Sequence, residues 1–446
     1  KSFNGIENVP TKAITMGVRT IFNAKRIIIM AWGLHKSLIV KKSVENNVTS
    51  IIPTTYLQNH KNTTLVLDNE SASELARFKT PWLVSTCDWI DSMKRRAIVW
   101  LCETTGKSIL KLTDEDYNKN GLSDLLALEG SSYDLNIKMF NHFQNTITGW
   151  PGGKPGADDS TRPERKSPNS KRVIIFSPHP DDDVVSMGGT FDRLVSQGHE
   201  VHIAYQVKGN IAVSDHDALK FIEVSKDMFK NDSKVPVSQL IKELKNNKPD
   251  KIDSQPVRNL KGFIRKREAI AATRYIGIPD SNTHFMNLPF YDTGRIKKNP
   301  PTKKDVLITA SLIKKIKPHQ IFAAGDLEDP HGTHKVCLDI LLEALNTLKG
   351  EKFIKDCWLW LYRGAWLDWD VHDIDMAVPM SPAQVLRKRN AIFFHQTQKD
   401  GVMFQGQDLR EFWVRAEERN SETAEKYKKM GLADYAAIES FKRHYY

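Results

Sequence analysis

Ser177-Pro178-His179-Pro180-Asp181-Asp182-Asp183 sets three consecutive carboxylates beside an imidazole. Carboxylates packed this closely repel one another unless a cation relieves them. A His and an Asp three positions apart, pinned by two prolines, can aim one nitrogen and one oxygen at a single divalent ion, which leaves Asp181 free to act on a water. A third ligand must come from elsewhere. The strongest source is Gly325-Asp326-Leu327-Glu328-Asp329-Pro330-His331-Gly332-Thr333-His334. The competing reading is a loop that turns the chain with its charges in water, and the second ligand-bearing stretch weighs against it.

Both stretches need elements to hold them. Arg172–Phe176 is a β-branched and aromatic run, short enough for a buried strand of a parallel sheet, and helical spacing begins at Val184. Gln320–Ala324 is a second strand-like run in front of the second stretch. Two strand ends carrying ligands converge on the carboxyl edge of one sheet, where open α/β folds bind their ligands. Further strands are expected at Glu200–Val207 and Trp358–Tyr362, and helices at Lys303–Ile316 and Thr333–Leu348. Residues 215–260 read as a charged helical excursion that could cap the site, and the chain from Ser381 onward reads as mainly helical.

Upstream, Val9–Gly17 opens a helix with Thr11 as a candidate cap. Arg26–Gly33 and Thr63–Leu67 read as strands, Lys36–Val44 as a helix, and this βα alternation predicts a parallel sheet. Residues 78–150 read as a helical bridge in which Trp82, Trp89 and Trp100 supply bulk, and 151–171 as a Pro/Gly-rich linker or surface loop. The expected domains are therefore 1–77, the bridge, the linker, and 172–446.

The 446 residues suffice for two or three cores, and 40% hydrophobic content marks the chain as globular. No apolar run is long enough to span a membrane. Cys87, Cys102, Cys337 and Cys357 are scattered without a CxxC pair, which points to reduced thiols and a cytoplasmic setting. The formal charge of +11 raises the question of nucleic acid, but the lysine clusters lack interleaved aromatics, so solvated faces or an anionic small-molecule substrate are the better readings. The chain opens on Lys1, so a fragment or a processed product is expected and a targeting segment is left open.

The loop Pro178-His179-Pro180-Asp181-Asp182, the following Gly188-Gly189-Thr190 and the later His331-x-x-His334 resemble the PIG-L/LmbE family of zinc-dependent N-acetylglucosaminyl deacetylases. Arg265-x-x-Glu268 with the turn at Gly277, and the segment Ala391–Gln398, resemble its intermediate and late motifs; the likeness runs from about 172 to 420. It implies zinc held by His179, Asp182 and His334, Asp181 as general base, His331 at the oxyanion or leaving amine, and Arg265 facing the substrate. An ion pair with Glu268 is the competing use of Arg265. Asp183 stands where the family usually has glutamate, and Thr333 where it commonly has aspartate.

Residues 1–77 resemble the C-terminal half of glucosamine-6-phosphate deaminase, on the segment Val9–Ile21, the turn Gly33-Leu34-His35-Lys36, Leu57–His60 and Leu67-Asp68. That likeness makes Lys36 a phosphate-binding candidate. Arg19 stands where that family has a small glycine, and the family's acid/base residues lie in a half outside this chain, so the deaminase reaction is not assigned to it. The resemblances together imply two Rossmann-like parallel-sheet units, one incomplete, joined by a helical bridge. They imply a zinc-dependent deacetylase acting on an N-acetylglucosamine-type sugar, phosphorylated sugars included, with no nucleic-acid or membrane partner and a homo-oligomer left open. The alternative is a decayed sugar-phosphate-binding or regulatory protein.

Overall fold

A computed structural model describes residues 11–12, 14–157, 160, 168–228, 237–246, 252–294, 297–327, 332–364, 366–399 and 410–446. The chain divides into two compact units, Lys1–Ile137 and Lys138–Tyr446. The division falls inside the helix Ser132–Thr146, not at the edge of the bridge expected near residue 150. The reason lies just beyond that helix. Pro151, Gly152 and Gly153 are buried, the Gln320 amide donates to the Pro151 carbonyl (3.2 Å), and Gly152 lies under the His199 ring, so the first part of the expected linker is packed into the second unit.

The first unit holds a two-stranded parallel sheet, β1 (Ile27–Ala31) and β2 (Thr63–Leu67), in register from Ile27 opposite Thr63 to Ala31 opposite Leu67. Parallel strands need both faces covered. Ile28 and Met30, at 54% and 62% exposure, leave one face of β1 open within this unit. The helix Ser37–Glu45 follows β1 as expected. Of the helix expected over Val9–Gly17, residues 9, 10 and 13 lie outside the described residues, 14–17 are not helical, and the first helix among the described residues is Val18–Phe22. The rest is helical, with Trp82 packed on Trp89 and Trp100 (centroids 6.2 and 5.4 Å).

The second unit is built on a seven-stranded sheet. Its strands are β3 (Arg172–Ser177), β4 (Glu200–Tyr205), β5 (Thr283–Phe285), β6 (Gln320–Ala324), β7 (Trp358–Tyr362), β8 (Met376–Met380) and β9 (Ala437–His444), in the order β5-β4-β3-β6-β7-β9-β8. The strands β5 to β7 are parallel; β9 runs antiparallel to both β7 and β8. The chain builds outward from β3 in one direction through β4 and β5, then returns to the other side of β3 with β6. That reversal opens a crevice between the ends of β3 and β6, the usual ligand position in such sheets. β3 and β6 are buried almost throughout, as their apolar composition predicts.

Five helices matter for the site: α1 (Asp182–Ser196), α2 (Gln255–Ile276), α3 (Thr333–Thr347), α4 (Pro382–Phe393) and α5 (Phe412–Lys429). The expected excursion forms two shorter helices, Asp215–Met228 and Val237–Lys245, around a small core of Val213, Ala218, Ile222, Leu240, Leu244 and Ile264. The chain from Ser381 is mainly helical as expected, but it closes on the strand β9, which was not expected. Its inward residues include Glu439 and Ser440, both buried, so no apolar alternation announces a strand.

α1 is bent at Met187 (φ −138°, ψ 28°), just before Gly188 and Gly189. The bend leaves backbone donors without helical partners. The Gly189 and Thr190 N–H groups donate to the two carboxylate oxygens of Glu439 (2.9 and 2.6 Å). Lys388 Nζ donates in turn to Glu439 Oε1 and to Asn420 Oδ1, each at 2.8 Å, and both charged side chains are fully enclosed. At Gly189 a Cβ would lie 2.2 Å from Met380 Sδ, so a larger residue there would force the Met380 side chain to move.

Candidate metal centre and active site

His179 and Asp182 leave the end of β3 on the turn into α1, and His334 lies in the first turn of α3, after β6. One ligand atom from each comes within 4.8 Å of the others, and this is the one such group among the described residues. Asp182 Oδ2 is the hub. It accepts from the His179 backbone N–H (2.8 Å) and lies 3.2 Å from His179 Nδ1 and 3.1 Å from His334 Nε2.

The tautomer of His334 decides what the cluster is for. Its Nδ1–H donates to the Asp326 carbonyl at 2.7 Å, so in the neutral ring Nε2 carries a bare lone pair that faces a carboxylate oxygen. Electron-rich atoms meet this closely only with a positive charge between them. Two ligand atoms about 2.1 Å from one ion at a tetrahedral angle are roughly 3.4 Å apart, close to the separations here. The donor set, two imidazoles and one carboxylate, fits a divalent ion such as zinc.

The second sphere is built to match. Asp326, directly after β6, is held by the Trp366 and Leu367 N–H groups on its Oδ2 while its carbonyl orients His334. Tyr291 stands edge-on to His179 (centroids 6.2 Å).

Asp181, partly buried, precedes the hub residue on the same loop. Arg265, from α2, donates to its Oδ1 through Nη2 at 2.9 Å and is 1% exposed. Arg265 therefore bonds Asp181 and not Glu268, whose oxygens accept the Thr397 N–H and hydroxyl (2.8 and 2.9 Å). Burial raises Asp181 and the guanidinium partly offsets it. Burial also raises Asp183 to about 7, against hydrogen bonds from Tyr205 (3.0 Å) and Ser177 (3.2 Å). Asp183 points into the core.

Of the expected site residues, His179, Asp181, Asp182, His334 and Arg265 meet at the β3/β6 crevice. His331 lies outside the described residues, as do Glu328 and Asp329. Lys36 belongs to the other unit, where it is exposed in the turn after β1. The Gly33 N–H there donates to both oxygens of Asp68 (3.2 and 3.0 Å). His202 is a satisfied structural residue between His284 and Glu200. His395 is fully buried at the corner after α4, and burial, with the positive charge of Arg265, holds it well below the usual imidazole range. Sequence reasoning passed over Tyr291 and the Lys388–Glu439 pair, which carry no local motif.

Against known proteins, residues 174–345 match the family model described as PIG-L, GlcNAc-PI de-N-acetylase. A glucosamine-6-phosphate deaminase-like protein of Bacteroides thetaiotaomicron is 51% identical over 450 residues, covering 99% of this chain and 68% of that protein. The chain belongs to the glucosamine-6-phosphate deaminase-like family and carries a PIG-L domain. A glucosamine-6-phosphate deaminase of Clostridium novyi is 47% identical over 73 residues, 16% of this chain and 30% of the deaminase, so the chain spans less than a third of that enzyme.

Among solved structures, the PIG-L unit is similar to N,N'-diacetylchitobiose deacetylase from Pyrococcus horikoshii (16% identity, 62% of this chain and 84% of that one, TM-score 0.40). It is also similar to the 4-carboxy-2-hydroxymuconate hydratase GalB from Pseudomonas putida (14%, 62% and 97%, TM-score 0.38). Neither likeness bears on the reaction. The cysteines are free, and among the described residues no helix is long and apolar enough to cross a membrane.

Proposed function

We propose that the chain is a zinc-dependent amidohydrolase that removes the acetyl group from an N-acetylglucosamine-type sugar, phosphorylated sugars included. The observation that carries it is the convergence of the His334 Nε2 lone pair, the His179 ring and Asp182 Oδ2 beside the pair Asp181–Arg265. His179, Asp182 and His334 would hold the ion. Zinc in such a site supplies Lewis acidity and lowers the pKa of water to about 7.

Asp181 takes the proton of the attacking water. Its position suits the task, one residue from a ligand and tied to Arg265, which keeps the carboxylate aimed and balances its charge. Arg265 contributes its remaining donors to the substrate, and His331 the oxyanion contact or the proton for the departing amine. Lys36 would bind a phosphate in the first unit, where a lysine after a strand suits an anion. A cytoplasmic setting agrees with four free cysteines.

The test is acetate release from N-acetylglucosamine and its 6-phosphate, with and without chelator. Activity lost on chelation, restored by zinc and abolished in His179→Ala supports the reading. Chelator-insensitive release, or none from a zinc-loaded wild type, removes it.

A further inference from the structure

We propose that Lys298 and Lys208 form an anion subsite at the mouth of the β3/β6 crevice that takes the phosphate of a hexosamine 6-phosphate; this rests on the deacetylase reading above, and the subsite is separate from the turn of Lys36. Lys298 Nζ lies 3.9 Å from the centroid of the Tyr291 ring, and the same ring stands edge-on to His179 (centroids 6.2 Å). One aromatic side chain therefore separates an ammonium group from the metal centre. Lys208 comes to the mouth from α2. Its stem runs over Gly262, where a Cβ would lie 3.6 Å from Lys208 Cδ, one turn before Arg265. Its Nζ reaches Asp292, the residue after Tyr291, at 3.3 Å.

The segment that carries Tyr291 and Lys298 is fastened. The Phe290 N–H donates to Asp305 Oδ1 and the Asn299 N–H to the Phe290 carbonyl, each at 3.0 Å, which brings Lys298 back against the ring. Tyr291 is 5% exposed and packs in a small core with Phe290 and, from α3, Cys337. Both lysines stay partly exposed. Ammonium groups at the rim of a site for a divalent ion repel that ion and raise the potential that an incoming anion meets. A neutral sugar gains nothing from that arrangement. A phosphate monoester carries about two negative charges and oxygens that accept from both ammonium groups. The shape of the sugar agrees. In a pyranose ring the carbon that bears the amide and the carbon that bears the phosphorylated arm are opposite corners, so an amide seated on the ion sends the phosphate outward to the rim.

The experiment measures kcat/KM on N-acetylglucosamine 6-phosphate and on N-acetylglucosamine for zinc-loaded wild type, Lys298→Met and Lys298→Arg, with zinc content and thermal midpoint alongside. Lys314→Met, whose lysine is exposed on the helix Lys303–Ile316, controls for net charge. Wild type should favour the phosphorylated sugar at least about tenfold, and Lys298→Met should bring that ratio down about tenfold, as the loss of one charge-assisted hydrogen bond predicts. Activity on the unphosphorylated sugar should stay within twofold, and zinc at wild-type content. Lys298→Arg, which keeps the charge, should hold the ratio within about threefold of wild type, as should Lys314→Met. If Lys298→Met does not fold, Lys298→Gln takes its place. A wild type without preference, a ratio within twofold of wild type in Lys298→Met, or an equal loss on both sugars overturns the proposal. If the wild type releases no acetate from either sugar, the deacetylase reading fails, and calorimetry with glucosamine 6-phosphate and glucosamine decides the subsite. Tighter binding of the phosphate that Lys298→Met abolishes sustains it; equal, unchanged or undetectable binding ends it.

Discussion

Replacing Lys388 with methionine removes the cation of a fully enclosed pair and leaves Glu439 holding the two N–H groups of Gly189 and Thr190 as an uncompensated buried charge. Breaking one side of such a pair costs about 3–5 kcal/mol. Methionine retains most of the aliphatic stem that packs 3.0 Å from the position of a Gly188 Cβ, so little of that cost is lost volume. At about 2 °C per kcal/mol for a unit of this size, the thermal midpoint should drop by roughly 6–10 °C. Thermal and urea unfolding of Lys388→Met, Glu439→Gln and the double variant form a closed cycle. The double variant has no buried charge at this position, so it should be more stable than the sum of the single losses by at least about 2 kcal/mol. A loss below about 1 kcal/mol in Lys388→Met, or strict additivity in the cycle, would refute the claim that the Lys388–Glu439 pair braces the bend of α1.

Dialysis against chelator should remove one divalent ion per chain, measured by elemental analysis, and re-adding zinc at about a hundred times its dissociation constant should raise unfolding stability by about 2.7 kcal/mol in wild type but not in His334→Ala. Gly325→Ala should weaken zinc binding about 10–100-fold without touching a ligand. A Cβ there would sit 2.8 Å from the Trp369 ring and 2.9 Å from Leu361, displacing the Asp326 carbonyl that orients His334; competition with a chromogenic chelator reads the change. His199 is held at about 4 by burial and by Lys171, below the unfolded value near 6.5, so between those pH values the unfolded chain binds a proton that the folded one does not. Stability should therefore be full above pH 6.5 and fall by about 3 kcal/mol on acidification towards pH 4, and urea titrations of His199→Asn should lack that slope.

The loop after β3 was legible because prolines, carboxylates and histidine follow an apolar run, and the same logic found the stretch after β6. Both runs are buried on both faces, which is the case that composition alone reveals. Thr11 reads as a cap, yet among the described residues helical geometry starts at Val18. β9 was invisible for a different reason. Its buried Glu439 and Ser440 find partners remote in sequence, and no local periodicity encodes a long-range bond. The choice of Asp181 as the partner of Arg265 was equally out of reach, since Glu268 stands one turn away on the same helix and only the fold shows that its oxygens are taken by Thr397.

The hydrogen bond from His334 to the Asp326 carbonyl ties the third ligand to strand β6, while the first two ride on β3, far earlier in the chain. A ribosome delivering this chain exposes His179 and Asp182 long before His334 emerges. Until the later strand docks against the earlier one, the nascent chain would own a bidentate claw and no cage, so under the proposed metal reading tight ion capture would be deferred to the moment the sheet closes. Ion uptake would then serve as a timer for completed folding, and a pulse of labelled zinc during synthesis should enter full-length chains and bypass chains stalled before residue 334.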